Sequence, residues 1–188
     1  MLEKLKRSLE ECPVVEMKDY HYFIHPLTDG LPLVETELLE EVVDTVMDIA
    51  DLDCDYILTA QSMGFPLAAA LSMKSGIPYK FIRKRKYGLE NEFPIKQTTG
   101  YSESNMYLNF VERGDRVFLI DDVLSTGGTL RSIVQALDRI GVDICDTVII
   151  FEKVGVKEEL QEELGLKIKT LLKVKMEGSD VKIIGEGF

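Results

Sequence analysis

The chain has 188 residues, 45% of them hydrophobic, enough to bury one substantial core, so a single domain over residues 1–188 is the default. With 33 acidic against 22 basic residues it carries a net charge of −11, which argues against nucleic-acid binding over the surface at large, and no run approaches the roughly 20 apolar residues of a membrane span. Cys12, Cys54 and Cys145 are widely spaced and odd in number, as expected of reduced thiols in a cytoplasmic protein rather than a zinc set or a disulfide frame.

Residues 1–12, MLEKLKRSLEEC, form an amphipathic charged helix rather than a secretory signal. Residues 13–34 mix turn formers with Tyr20, Tyr22, Phe23 and Ile24 and show no period, which makes them a small irregular cap rather than a linker. Thr36 caps a helix to about Asp51, with Leu38, Leu39, Val42, Val43, Val46, Met47 and Ile49 on its apolar side. Strand and helix then alternate: 56–59 reads as a strand, 66–73 as a helix and 79–82 as a strand. The intervening turn, TAQSMGFP at 59–66, presents backbone N–H groups and Ser62 at a helix N-terminus. It suits an anion and serves equally as an ordinary strand-to-helix turn. Arg83-Lys84-Arg85-Lys86 follows at the same edge, a basic exception that is either a solvated loop or a counter-charge. From 87 to 105 the pattern gives way to polar, turn-rich residues, a stretch long enough to suggest a functional lid. Residues 106–110 return as a short strand.

Residues 117–130, VFLIDDVLSTGGTL, are the most informative segment. Val117 to Ile120 form a strand buried on both faces, Asp121 and Asp122 stand at its carboxyl end, and Leu130 to Ile140 have helical spacing. Gly127 and Gly128 let the backbone approach a phosphate, while Ser125, Thr126 and Thr129 add hydroxyl donors. Carboxylates beside a phosphate cradle grip hydroxyls or a metal, so the ligand carries a phosphate, a vicinal diol and Mg²⁺. Thr129 stands where a P-loop needs lysine, and G-x-G-x-x-G spacing is lacking. Residues 147–151 form a further strand ending near Lys153, and 167–174 with 181–184 read as a hairpin. The alternation predicts a parallel α/β sheet with right-handed crossovers.

Strand, acid pair, hydroxyls, glycines and helix in that order resemble the 5-phosphoribosyl-1-pyrophosphate (PRPP) motif of type I phosphoribosyltransferases, purine branch. Within that branch the chain is similar to archaeal hypoxanthine/guanine and bacterial xanthine members. The resemblance implies a parallel twisted sheet flanked by helices, a small N-terminal cap or hood at about 13–34, a mobile lid at 87–105 and a homodimer. It also implies a reaction, in which PRPP and hypoxanthine, or guanine, give IMP, or GMP, and pyrophosphate. Asp121 and Asp122 then hold the ribose hydroxyls, and Ser125, Thr126, Gly127, Gly128 and Thr129 wrap the 5′-phosphate. Gln61, Ser62, Met63 and Gly64 form the pyrophosphate loop, assisted by Arg83 and Lys84. Mg²⁺ is held mainly through PRPP, with no direct protein ligand set.

Tyr101 and Glu103 resemble lid residues of the purine branch, and Glu103 is a candidate to handle the proton displaced as N9 attacks. Lys153 occupies a position where the xanthine branch has lysine. A lysine only donates hydrogen bonds, which suits a 6-oxo purine and clashes with the amino group of adenine, although the residue also reads as a surface lysine. Leu27 and Thr28 contact the other side of the base through backbone groups. Met63 departs from the adenine branch, which generally has arginine there. The alternatives are an adenine or xanthine enzyme and, less favoured, a non-catalytic PRPP-sensing regulator. The short segment before the cap has no room for the DNA-binding domain of such regulators.

Overall fold

Apolar β-branched runs alternating with amphipathic helices build one six-stranded sheet in the computed structural model, which describes residues 2–17, 20–98, 103–178 and 180–188. Helix α1 (Glu3–Glu10) buries Leu5 and Leu9. The cap is more regular than expected. Strands β1 (Val14–Met17) and β2 (Tyr20–Phe23) pair antiparallel, Val14 opposite Phe23, and the short helix α2 (Pro26–Asp29) follows. The hairpin is hidden in the sequence because residues 13–24 contain no Asn-Gly or Asp-Gly pair to signal it. Helix α3 spans Thr36–Ile49, but Glu35 occupies the N-cap and no side chain caps the helix, so the role given to Thr36 is corrected.

Strand β3 (Tyr56–Ala60), helix α4 (Gly64–Ser75) and strand β4 (Tyr79–Ile82) follow as anticipated. The expected lid differs from a structureless stretch: β5 (Glu92–Thr98) and β6 (Glu103–Asn109) form an antiparallel ribbon. Pro94 masks β5 in the sequence, yet it is tolerated because β5 is an edge strand pairing only with β6. Ile95, Met106 and Leu108 of the ribbon are buried against the same core as α5, so the ribbon is anchored by its apolar side.

Strand β7 (Arg116–Leu124) outruns its expected end at Ile120. Its neighbour β8 (Asp143–Lys153) pairs with it as far as Leu124 opposite Glu152, and this ladder carries the acid pair inside the strand. Helix α5 (Gly128–Ile140), helix α6 (Lys157–Leu164) and the antiparallel pair β9 (Lys169–Glu177) and β10 (Asp180–Gly187) complete the chain.

The sheet order is β10-β9-β8-β7-β3-β4, parallel except for β10. Both faces are covered, and successive residues of the inner strands enter opposite cores. Ile57, Phe118, Ile120 and Val148 pack with α1, α3 and α4, whereas Leu58, Val117, Leu119 and Ile149 pack with α5 and the ribbon. Strand β3 pairs with β4 on one side and β7 on the other, so the winding reverses between β3 and β7. Open α/β sheets bind ligands at the carboxyl ends of strands flanking such a reversal.

Candidate active site

The turn after β7 is shaped by close packing. Gly127 has φ +73°, and a Cβ there would lie 2.9 Å from Leu160 Cδ2 of α6, so both backbone conformation and space favour glycine. Helix α5 starts at the next residue, and its first residues border a cavity of about 250 Å³ lined by Asp121, Val123 to Leu130 and Ile149. Amides of a helix N-terminus, two glycines and three hydroxyls in one concavity make an anion cradle.

Asp121 lines the cavity, and Asp122 is the next residue of β7. Burial pushes the Asp121 carboxyl well above the usual range, and the Asp122 charge adds to this. Burial also raises Asp122, which the charge of Asp29 raises further. The Asp122 N–H donates to Asp121 Oδ1 at 3.1 Å. Such a pair favours positive charge or hydroxyl donors beside it.

Across the switch point, the turn after β3 meets the acid pair. A Cβ on Gly64 would fall inside the envelope of Thr59 Oγ1 and 3.2 Å from Asp121 Oδ1, so only glycine lets α4 begin this close to β7. The Gln61–Ser62 peptide is cis. Gln61 donates its N–H to Ile82 O at 3.0 Å, and its side-chain oxygen accepts from the Lys84 N–H at 2.9 Å. The turn is therefore stitched to the start of the basic run. Arg83 is half-buried, its guanidinium 4.1 Å from the Phe81 ring centre and 5.7 Å from that of Tyr87. The Lys84, Arg85 and Lys86 side chains are exposed.

The cap closes over the end of β8. Phe23 and His25 meet Phe151 edge-on, at ring-centre distances of 5.7 and 4.8 Å. His25 is fully buried, and desolvation lowers its pKa to about 4. Its Nδ1 accepts from the Leu27 N–H at 3.1 Å and its Nε2 lies 2.9 Å from Ser8 Oγ, which donates to Leu5 O. The neutral ring thus ties α1, the cap and β8 together. Leu27 and Thr28 are buried there. Their amides are engaged by His25, the Thr28 N–H with His25 O, which leaves carbonyls as the backbone groups available to a base. Lys153, the last residue of β8, holds Nζ 5.9 Å from the Tyr22 ring centre.

The structure thus brings 61–64 and 121–129 to one sheet edge, and Lys153, Leu27 and Thr28 to the cap end of β8. Tyr101 lies outside the described residues, as does the Glu103 side chain, whose backbone pairs with Thr98 in the ribbon. Sequence reasoning passed over Tyr22, His25 and Asp29. The signal available was Pro26 at a helix start with an acid three residues on.

The family model for the phosphoribosyl transferase domain matches residues 35–181. The chain is 50% identical over 185 residues to the hypoxanthine/guanine phosphoribosyltransferase of Methanothermus fervidus, covering 98% of each chain. To the protein of that name from Methanothrix soehngenii it is 48% identical over 187 residues, covering 100% of this chain and 98% of that one. Among solved structures, the adenine phosphoribosyltransferase of Thermoanaerobacter pseudethanolicus aligns with a TM-score of 0.76 at 20% identity, over 92% of this chain and 99% of that one. The Saccharomyces cerevisiae adenine enzyme gives 0.73 at 18% identity, over 91% and 98%. At such identities the structural likeness is one of fold.

Proposed function

The chain belongs to the phosphoribosyltransferase family, and we propose that it transfers the 5-phosphoribosyl group of PRPP to hypoxanthine, and to guanine, releasing pyrophosphate in purine salvage. One observation carries the reading: the Gly64 turn abuts Asp121, so an anion cradle for pyrophosphate and a carboxylate for the ribose meet across the β3–β7 reversal.

In this reading the 125–129 turn takes the 5′-phosphate and the Asp121–Asp122 pair accepts hydrogen bonds from the ribose hydroxyls. The bond from the anomeric carbon to the pyrophosphate oxygen breaks, its electron pair leaving with pyrophosphate, as the purine nitrogen bonds to that carbon and releases its proton. Positive charge develops on the ribose, beside the two carboxylates, and is stabilised by them. Amides of 62–64 receive the leaving charge, with Arg83 and Lys84 nearby. Holding two substrates in one orientation supplies much of the rest of the rate enhancement. Lys153 Nζ donates to the purine 6-oxo group, and Glu103 is the expected acceptor of the proton that the purine nitrogen releases.

Magnesium fits this donor set. Two raised carboxyls favour a cation, and among the described residues no group of three or more metal-ligating side chains forms a closed cage. The ion would be held mainly through PRPP, whose ribose hydroxyls Asp121 and Asp122 grip, and it would neutralise charge on the leaving pyrophosphate. Among the described residues no helix is long and apolar enough to cross a membrane. A cytoplasmic location, read from three free thiols, is part of the proposal. A homodimer is part of the same proposal, tested by sedimentation.

The test is a panel of hypoxanthine, guanine, xanthine and adenine with PRPP and Mg²⁺, read as nucleotide and pyrophosphate. Preferred turnover of hypoxanthine or guanine is expected. Preference for adenine, or no turnover of any purine, overturns the reading.

A further inference from the structure

Lys153 ends in four flexible stem bonds, so a single ammonium discriminates between purines only if something fixes where it stands. Tyr22, on β2 of the cap, lies against it, with the ammonium 5.9 Å from the ring centre, within the range of attraction between a cation and an aromatic face. The ring is held in turn. Its hydroxyl donates to Asp29 Oδ1 at 3.2 Å, while Asp29 Oδ2 accepts from the His25 N–H at 3.0 Å and from Thr28 Oγ1 at 2.6 Å. The carboxylate is thus clamped inside the cap before it holds the tyrosine. The next residue, Gly30, closes α2 with φ +70° and approaches Met63 of the pyrophosphate turn, its would-be Cβ 3.8 Å from Met63 Cε. One short segment therefore touches both ends of the site.

We propose that Tyr22 and Asp29 are a positioning pair for Lys153: the Asp29–Tyr22 hydrogen bond holds the ring under the ammonium and so sets purine selectivity. The proposal rests on the reading that Lys153 meets the 6-oxo group of the base. Neither residue touches the reacting atoms, so loss of the Tyr22 hydroxyl acts on base binding and leaves PRPP binding nearly unchanged, whereas loss of the Asp29 charge also reaches Asp122.

The test is a double-substitution cycle of Tyr22→Phe and Lys153→Met, each assayed with hypoxanthine, adenine and PRPP, and with melting temperatures recorded. Tyr22→Phe keeps the ring and the cap packing and removes only the hydroxyl. It is expected to raise KM for hypoxanthine about fivefold to tenfold, the scale of part of one hydrogen bond to a charged group. It also lowers the hypoxanthine-to-adenine ratio of kcat/KM and moves KM for PRPP by less than about twofold, far below the effect of that hydrogen bond. In the Lys153→Met background the same substitution is expected to have almost no effect on purine KM. Asp29→Asn, which preserves the shape of the cap, is expected to act in the same direction. Equal effects of Tyr22→Phe in both backgrounds, a PRPP KM that moves as far as the purine KM, or no change at all would overturn the pair while the unmodified protein still consumes hypoxanthine. If the unmodified protein does not consume hypoxanthine, the function reading fails and the pair falls with it.

Discussion

Gly64→Ala is the substitution that tests the site most directly. The new methyl would overlap Thr59 Oγ1 and stand 3.1 Å from Thr59 Cβ and 3.2 Å from Asp121 Oδ1. Thr59 is 2% exposed on a central strand and cannot move aside without disturbing β3, so the turn must shift away from β7. Overpacking of this kind costs about 1–3 kcal/mol. For a chain of this size that lowers Tm by roughly 2–4 °C per kcal/mol. The displaced turn also loses its alignment with Asp121, so kcat/KM for PRPP falls further than kcat/KM for the purine. Thr59→Ala removes the hydroxyl, a buried atom with no hydrogen-bond partner among the described residues, and so is close to neutral by itself. Combined with Gly64→Ala it relieves the main overlap and is expected to restore about half of the lost stability, a coupling of roughly 1 kcal/mol. Denaturant unfolding and steady-state kinetics on the four proteins measure this. If the double variant is as damaged as Gly64→Ala alone, collision with Thr59 is not what makes this position glycine.

Other substitutions probe the remaining parts. Asp122→Asn removes a carboxylate that burial disfavours, so the ligand-free protein is expected to melt higher while kcat/KM for PRPP drops roughly 100-fold, the scale of one lost electrostatic stabiliser; intact turnover would refute its role. His25 has a folded pKa of about 4 against 6.5 unfolded, so the unfolded chain binds more protons between these values and stability falls as pH drops through them. Between pH 7 and 5 this amounts to about 2 kcal/mol, and His25→Gln is expected to flatten that part of the pH profile in guanidinium unfolding. Lys153→Gln supplies an acceptor beside a donor, so the adenine-to-hypoxanthine ratio of kcat/KM is expected to rise at least about tenfold, and an unchanged ratio would remove Lys153 from base reading.

The parts of the molecule legible in the sequence are those whose cause is local. Residues 117–130 announce strand, acid pair and cradle because apolar β-branched residues, two glycines and three hydroxyls each impose a backbone state within a few positions. Strand β4 and helix α3 follow from their own periodicity. Strand β5 and the first residues of β6 stayed hidden because, among the described side chains of the ribbon, only Ile95, Met106 and Leu108 bury, while Pro94 contradicts a strand. The extension of β7 past the acids depends on β8, and the hydrogen bond from the Lys84 amide to Gln61 joins two segments 23 residues apart. These are tertiary facts that no window of residues contains. The cap was expected to be irregular, and its use of His25, Tyr22 and Asp29 depends on partners in α1 and β8.

The pairing of β3 with β7 also makes ligand binding and folding a single linked equilibrium. Residues 61–64 and 121–129 are far apart along the chain and stand side by side only once Tyr56 faces Val117 and Leu58 faces Leu119. An unfolded chain offers PRPP neither half of the site at a useful separation. Bound PRPP at 100 times its dissociation constant therefore withdraws about 2.7 kcal/mol from the tendency to unfold. The metabolite that feeds the reaction would act in the cell as a folding ligand, and a protein starved of it would be the one most open to proteolysis.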